Sequence, residues 1–453
     1  MSTNIKKDQI SPDQQKTGRA RFLWFIRINT ISYGCLADAI LILYAIRLGA
    51  DDFIVGLMAS FIYLTMPLMF IGKQMISKFG AAHAYGLNWI VRNFFAAFLI
   101  LVPFVIKSTN QSFGLAFLIF FTFGFFAFRS IGFTGNTPLI GEITNNTNRG
   151  NYLSKLWLQF TFFYFITLLI LIYILKYFQS VFTFQLIIMT GVVFGIIGSV
   201  IVYFVPESIN PKISSRISIF QSFSSLWKNT RCRKLLFSWT AVTIANALVM
   251  PFSLVALKNG YNISDHNALL FSLIQLFGGI IASLLNILIL DKVGPRPMLI
   301  LYSLMFLISC SLWIVSPAEF VIYIPVVIFI INGMALAGTN TALSHYFLTV
   351  VQEQKRVGAN ILFLIISGGT AGIAGTILGG GLLKYLNQFE ISSLSVYRTF
   401  FLIILLVLIP LFFVIKKIER LEDWNVKDVL KIFISFRDIR ALFTLNRLEK
   451  SKM

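Results

Sequence analysis

Residues 267–315 read NALLFSLIQLFGGIIASLLNILIL, then DKVGPR, then PMLILYSLMFLISCSLWIV. A membrane-spanning helix needs about 20 mostly apolar residues to cross roughly 30 Å of hydrocarbon, and both apolar runs have that length. The short polar segment between them leaves room only for a tight turn. This stretch therefore predicts two membrane helices joined as a hairpin.

Twelve runs of this kind divide the 453-residue chain into two sets of six. The sets occupy residues 22–205 and 235–416, and a polar linker at 206–234 separates them. A polar tail precedes them at 1–21, and a basic amphipathic tail follows at 417–453. The predicted spans are 22–46, 53–72, 84–106, 113–135, 156–178, 181–205, 235–257, 267–290, 297–315, 320–342, 360–383 and 394–415. The sequence thus predicts an all-α integral membrane protein with both termini on one side.

The composition excludes a soluble protein, because 57% of the residues are hydrophobic and only 12% are charged. The net charge of +20 is unevenly placed: with the N-terminus inside, the five inner loops hold 14 Lys and Arg residues and the outer loops hold 6. Positive loops stay in the cytoplasm, so we expect cytoplasmic N- and C-termini. The basic excess is then explained by orientation and by anionic membrane lipids, and no nucleic-acid partner is expected.

Motifs for catalysis, metals and cofactors are missing from the sequence. The three Cys and three His residues are widely scattered, without the spacing of metal ligands or of a disulfide framework. No phosphate-binding glycine loop and no paired carboxylates within a span occur. We therefore expect no enzyme activity, no catalytic residue, no cofactor and no metal.

The turn after the eighth span carries a recognisable pattern. Asp291 and Lys292 are followed by Gly294 and Arg296. Glycine suits the backbone of such a turn, and the carboxylate can pair with cations or cap a neighbouring helix. This turn resembles the inter-helix signature of the major facilitator superfamily, in which Asp, a basic residue, Gly and further basic residues follow in this order.

Further elements of the resemblance lie in other inner loops. The loop after the second span, 214 residues earlier, keeps Lys78 and Gly80 but has Ser77 in place of Asp. This departure puts a conventional latch in the N-terminal half in doubt. The loops after the fourth and tenth spans contain the family's acidic and arginine elements. These are Glu142 with Arg149, and Glu353 with Arg356.

The resemblance implies two six-helix bundles related by a pseudo-twofold axis, with spans one, four, seven and ten lining a central cavity. It also implies secondary transport of a small molecule by alternating access, in a multi-pass monomer of the plasma membrane. The alternative is a receptor, assembly factor or lipid-handling scaffold that does not transport, because fold does not fix function.

Charged residues deep in the spans are the candidates for binding, because each costs about 2.5–3.5 kcal/mol to insert. Arg129 in span four shares a predicted polar stripe with Thr122 and Asn136, each seven residues away. A guanidinium on a cavity-lining helix suits a carboxylate or phosphate, so we hypothesise an anionic substrate group. The alternative is a structural latch between Arg129 and either Glu142 or Asp38.

Asp38 is the carboxylate that the sequence places inside a span, and we hypothesise that it binds a coupling proton. Its alternative is a permanent pair with an arginine. Arg92 in span three is expected to pack within its bundle. Asn246 and Asn332, at the centres of spans seven and ten, are candidates for substrate contacts or for hydrogen bonds between helices.

Overall fold

The computed structural model describes most of residues 10–429. Within that range it leaves out residues 37, 51–53, 55–56, 59–60, 63, 146, 179, 264, 389–392, 422–423 and 427–428. All regular secondary structure in the described part is helical, which confirms the predicted all-α class. Most of the predicted amphipathic tail at 417–453 lies outside the described residues.

Eleven helices of the described chain are long and apolar enough to cross a membrane. They are Pro12–Arg47, Ala81–Ser108, Gln111–Ile143, Arg149–Tyr177, Val181–Tyr203, Thr230–Gly260, Leu270–Val293, Pro295–Ile314, Tyr323–Val350, Glu353–Gly381 and Leu394–Lys416. Each contains most of one predicted span. The predicted second span, 53–72, lies partly on residues that are not described, and its end continues into the helix Met69–Phe79.

The chain forms two compact units, and some long helices contribute to both. Unit 1 contains the described residues of 1–145, 163–224 and 351–365, and unit 2 contains those of 146–162, 225–350 and 366–453. The helices up to the linker are α1 (Pro12–Leu36), α2 (Asp38–Arg47), α3 (Met69–Phe79), α4 (Ala81–Phe98), α5 (Val102–Ser108), α6 (Gln111–Phe133), α7 (Asn136–Ile143), α8 (Arg149–Tyr177), α9 (Val181–Tyr203), α10 (Asn210–Arg216) and α11 (Ile219–Lys228). The later helices are α12 (Thr230–Val255), α13 (Asp265–Val293), α14 (Pro295–Ile314), α15 (Tyr323–Val350), α16 (Arg356–Ala374), α17 (Leu382–Leu386) and α18 (Ser393–Lys416).

Unit 1 is built by close packing of α1 on α9, of α9 on α4 and of α4 on α6. Small residues make these approaches possible: a Cβ on Gly86 of α4 would meet Tyr203 of α9, and one on Gly191 of α9 would meet Leu36 of α1. Helices in membranes associate mainly through such backbone proximity. The order of contacts places α4 directly beside α6, the helix that carries Arg129.

Unit 2 uses the same device between α13, α14 and α15. A Cβ on Gly333 of α15 would strike the backbone carbonyl of Gln275 on α13, and one on Gly338 would strike the ring of Tyr302 on α14. These glycines therefore set the distances of α15 from α13 and from α14, two helices that are joined at Gly294.

Candidate functional site

A cluster of two arginines and several aromatic rings lies between α4 and α6 in unit 1. On α4, Tyr85, Trp89 and Arg92 are spaced four and three residues apart, which puts them on one face of the helix. The guanidinium of Arg92 lies 4.5 Å from the ring centroid of Trp89 and 4.7 Å from that of Phe125 on α6. Arg92 is 1% exposed.

Arg129 is the second cation of this cluster, and it is half-buried on α6. It lies near enough to Arg92 and Tyr85 to interact electrostatically with both. The hydroxyl of Tyr85 also donates a hydrogen bond of 3.5 Å to Oδ1 of Asn136. The structure thus brings Arg129 and Asn136 together through Tyr85.

The predicted polar stripe crosses an interruption in its helix. Within the membrane-crossing helix Gln111–Ile143, regular α-helix stops at Phe133 and resumes at Asn136. Thr122 lies on α6, fully buried, and its hydroxyl has no hydrogen-bond partner among the described residues. No hydrogen bond therefore joins Thr122 to Arg129.

No ion pair joins either arginine to a carboxylate within the described residues. Glu142 was predicted to lie in a loop, but it lies near the end of α7 and accepts a hydrogen bond of 3.3 Å from the backbone N–H of Ser208. The sequence alternative of a latch between Arg129 and Glu142 is therefore not formed. The backbone of Asp38 begins α2, but its side chain lies outside the described part.

In unit 2 the two predicted asparagines have different surroundings. Asn332 is fully buried on α15, and its Nδ2 donates to Oγ of Ser253 on α12 at 3.1 Å. Nε1 of Trp313 on α14 donates to the same Oγ at 3.1 Å, so one hydroxyl joins three helices. Asn332 thus makes the interhelical bond that was its alternative role. Asn246 is half-buried on α12, and its buried Oδ1 has no hydrogen-bond partner in the described part of the chain.

The predicted gate motif of the C-terminal half caps a helix. Asp291 Oδ1 accepts from the backbone N–H of Gly150 at 2.6 Å, and Oδ2 accepts from that of Asn151 at 2.7 Å. These N–H groups belong to the first turn of α8, which has no intrahelical acceptors for them. Nε2 of His345 lies 3.3 Å from Asp291 Oδ1, and Arg149 donates to Thr349 Oγ1 at 3.4 Å.

Both predicted turn glycines have the backbone geometry that requires glycine. Gly80 has φ of 99° and ψ of 171°, and Gly294 has φ of 86° and ψ of 162°. The shared conformation indicates that the two loops are equivalent turns. Arg296 donates to the carbonyls of Ile418 and Lys416, and it thereby holds the end of α18. Lys78 and Lys292 are exposed.

The equivalent turn of the N-terminal half, which has Ser77 in place of the aspartate, is arranged differently. Among the described residues, the hydroxyl of Ser77 donates one hydrogen bond, to the carbonyl of Gln74 on its own helix. The first turn of α16 is instead capped by Ser214 of the linker, whose buried Oγ accepts from the backbone N–H of Val357 at 3.2 Å. Beside it Glu353 and Arg356 form an ion pair of 3.5 Å. A neutral hydroxyl therefore replaces the expected carboxylate.

Glu207 is a residue that the sequence analysis missed. Its carboxylate caps α4, accepting from the backbone N–H groups of Ala81 at 2.6 Å and Ala82 at 3.2 Å. Nδ1 of His83 lies 3.5 Å away. Burial raises the pKa of Glu207 above its ordinary value, although the two backbone donors and His83 act in the opposite direction.

The missed residues have weak sequence signals. Glu207 follows a proline directly after an apolar run, which is typical of a loop, yet it is one of few carboxylates near a predicted inner helix end. Ser214 has no distinctive neighbour. Within the described residues, no group of His, Cys, Asp and Glu is arranged to hold a metal ion.

Comparison with models of protein families identifies the family of the chain. The model of the Major Facilitator Superfamily matches residues 25–368, and the chain belongs to that family. It is a multi-pass membrane protein of the transporter type. Membership of this family supports secondary transport of a small molecule as the general activity, and it points to a transporter and not to an enzyme. A search of curated proteins finds no match.

Several solved transporters have the same fold at low sequence identity. The E. coli fucose:proton symporter is 13% identical, with a TM-score of 0.64 over 88% of this chain and 100% of its own. A bacterial homologue of the iron transporter ferroportin is 12% identical, with a TM-score of 0.63 over 87% and 98%. The human organic anion transporter MFSD10 is 11% identical, with a TM-score of 0.61 over 88% and 99%. The predicted family and fold are thereby confirmed.

Proposed function

We propose that this protein carries a small anionic solute across the plasma membrane by alternating access, with Arg129 as the primary ligand of the anionic group. The observation that supports this proposal is the state of Arg129: it is half-buried on α6, with no ion pair to any carboxylate of the described chain. A charge held within a membrane helix needs an interaction to offset its cost. A bound carboxylate or phosphate supplies one.

The proposal does not follow from the related structures. Those transporters are named for fucose, iron and organic anions, so one fold serves chemically different solutes. What favours an anion is the local chemistry around Arg129. Tyr85 and Asn136 add neutral hydrogen-bonding groups beside the guanidinium, which suits the orientation of a polar solute.

The test is a thermal-shift screen of the purified full-length protein with carboxylates, phosphates, sugars, amino acids and nucleosides. A ligand that binds the folded state raises the free energy of unfolding, by about 2.7 kcal/mol when its concentration is 100 times its Kd. The melting temperature rises as a result. We expect stabilisation by anions in the wild type and in Arg27→Gln, and its loss in Arg129→Gln. Arg27 is a matched control, because its guanidinium stacks 4.6 Å from the centroid of the exposed Trp24.

Stabilisation by neutral solutes alone, or by anions equally in wild type and Arg129→Gln, would refute the anion site. A folded sample that responds to no solute would instead favour the scaffold function.

Proton coupling through Asp38 is the second part of the proposal. A carboxylate within a span binds a proton more readily than one in water, because low dielectric disfavours its charged form. Once the substrate is known, we expect a pH gradient to drive uptake into proteoliposomes by the wild type but not by Asp38→Asn. Counterflow at equal pH should persist in that variant. Unchanged pH-driven uptake in Asp38→Asn would exclude this role.

A further inference from the structure

Arg92 has hydrogen-bonding capacity that nothing described in the protein uses. Its Nε and Nη2 atoms are buried and have no hydrogen-bond partner. The guanidinium carbon lies over the rings of Trp89 and Phe125, in cation–π contact with both. Cation–π contact satisfies the charge but not the N–H groups, which point outwards in the plane of the guanidinium. Packing alone therefore leaves the two donors unexplained.

The position of these donors matters, because Nε and Nη2 form one side of the guanidinium fork. Their two parallel N–H groups match the two oxygens of a carboxylate or phosphate. A buried pair of such donors is costly without an acceptor. The arrangement thus has the chemistry of an anion-binding edge held in place by two aromatic rings.

Arg129 lies close enough to contribute to the same ligand. Helices α4 and α6 pack in opposite directions: a Cβ on Gly132 of α6 would meet Asn88 and Trp89 of α4, and one on Gly124 would meet Phe95. Arg92 and Arg129 each lie between these two levels of their helices, at a similar depth. The electrostatic interaction between the two arginines agrees with this similar depth.

We propose that Arg92 and Arg129 together bind one doubly charged anion, either a phosphate monoester or a dicarboxylate. This inference rests on the proposed function and deepens it, since it adds a second cationic ligand and fixes the charge of the substrate. Two adjacent cations repel each other unless an anion lies between them, and a dianion neutralises both. Tyr85, which interacts with both arginines, adds a hydroxyl at the same place.

Matched pairs of ligands that differ by one charge test the proposal. Methyl phosphate and succinate are dianions at pH 7.5, and dimethyl phosphate and monomethyl succinate are the corresponding monoanions. Kd values are measured by thermal shift on the full-length protein. We expect the wild type and Arg27→Gln to prefer at least one dianion by about tenfold or more, as for an added charge-assisted contact.

The variants separate this inference from the proposed function. In Arg92→Gln the preference for the dianion should fall to about twofold or less, while the monoanion still binds through Arg129. In Arg129→Gln both affinities should fall. If Arg92→Gln lost affinity equally for the dianion and the monoanion, or lost none, Arg92 would be a packing residue. The proposed anion site at Arg129 would not be affected by that result. If no anion binds to the wild type, both proposals fail.

A wild-type measurement keeps the proposal testable if Arg92→Gln does not fold. The second ionisation of a phosphate monoester occurs near pH 6. Binding of methyl phosphate relative to dimethyl phosphate, or of succinate relative to monomethyl succinate, should therefore tighten between pH 5 and 7.5, and flat ratios for both pairs would overturn the proposal. If Asp38 is instead the counter-ion of Arg92, the wild type will show no dianion preference and Asp38→Asn will gain one. That result would also overturn it.

Discussion

The carboxylate of Asp291 accepts a hydrogen bond of 2.6 Å from the backbone N–H of Gly150, although 141 residues separate them in the chain. Its second oxygen bonds to the next N–H, that of Asn151, whose side-chain Nδ2 returns a bond of 2.8 Å to the carbonyl of Ile287. The negative group thus lies at the positive end of the α8 dipole. This pair holds the first turn of α8 against the end of α13.

Removing this cap should destabilise the protein. Asp291→Ala leaves two helix N–H groups without their charged acceptor, and losses of a helix cap cost about 1–2 kcal/mol. We expect a lower melting temperature in detergent. Ser77→Ala is the matched control in the equivalent loop, and it should change little because Ser77 bonds only within its own helix. Equal shifts in the two variants would contradict the capping role.

The backbone of the turn gives a second prediction. Gly294 has a φ of 86°, a conformation that residues with a Cβ rarely adopt, so Gly294→Ala should cost about 1–3 kcal/mol. Gly80→Ala should cost at least as much, because its Cβ would also strike the carboxylate of Glu207. Gly369→Ala serves as control, since a Cβ there meets no atom within 4 Å. A Gly294→Ala variant as stable as Gly369→Ala would exclude strain at this turn.

The linker should contribute to stability through one hydroxyl. Ser214→Ala removes the acceptor for the buried N–H of Val357, and an orphaned helix donor costs about 1 kcal/mol. Ser215→Ala is the neighbouring control, because in the described part of the chain the hydroxyl of Ser215 bonds just to the carbonyl of Lys212, three residues away. Chemical denaturation of both variants measures the difference. If Ser215→Ala were the more harmful change, the cap on α16 would be unimportant.

Glu207 should make stability depend on pH. Because burial raises the pKa of Glu207 in the folded state above its ordinary value of 4.5, the folded protein binds the extra proton between the two values. The contribution of Glu207 to unfolding free energy therefore decreases as pH rises from about 4.5 through the folded pKa. Melting temperatures of the wild type relative to Glu207→Gln should fall over this range.

Nδ1 of His83 lies 3.5 Å from the Glu207 carboxylate, so the comparison is made in a His83→Asn background. The two proteins compared are then His83→Asn alone and His83→Asn combined with Glu207→Gln. A difference in melting temperature between them that is constant with pH would contradict the raised pKa.

Much of the fold could be predicted because membrane helices leave a plain record in the sequence. Runs long enough to cross the bilayer predicted twelve spans in order, and eleven of them are helices in the described part of the chain. The Asp291 to Arg296 pattern gave the turn and its glycine. Helix capping by Asp291 was also foreseen as one role of the carboxylate. Its partner was not, since Gly150 lies far away in the chain.

Other parts of the site depend on information that periodicity does not contain. Spans that are apolar all round do not indicate which side faces a neighbouring helix, so the position of Arg92 between Trp89 and Phe125 could not be foreseen. Ser214 and Glu207 act through single long-range hydrogen bonds. Such bonds produce no repeating pattern that a single sequence can reveal.

The most direct test of the account is uptake of a labelled anion, chosen by the thermal-shift screen, into proteoliposomes. Wild type, Arg27→Gln and Arg129→Gln are reconstituted at equal protein density and compared with empty vesicles. We predict saturable uptake by the wild type and Arg27→Gln, and uptake by Arg129→Gln reduced to that of the empty vesicles. Binding of the anion without any uptake by the wild type would contradict transport and would favour a receptor or scaffold on the same fold.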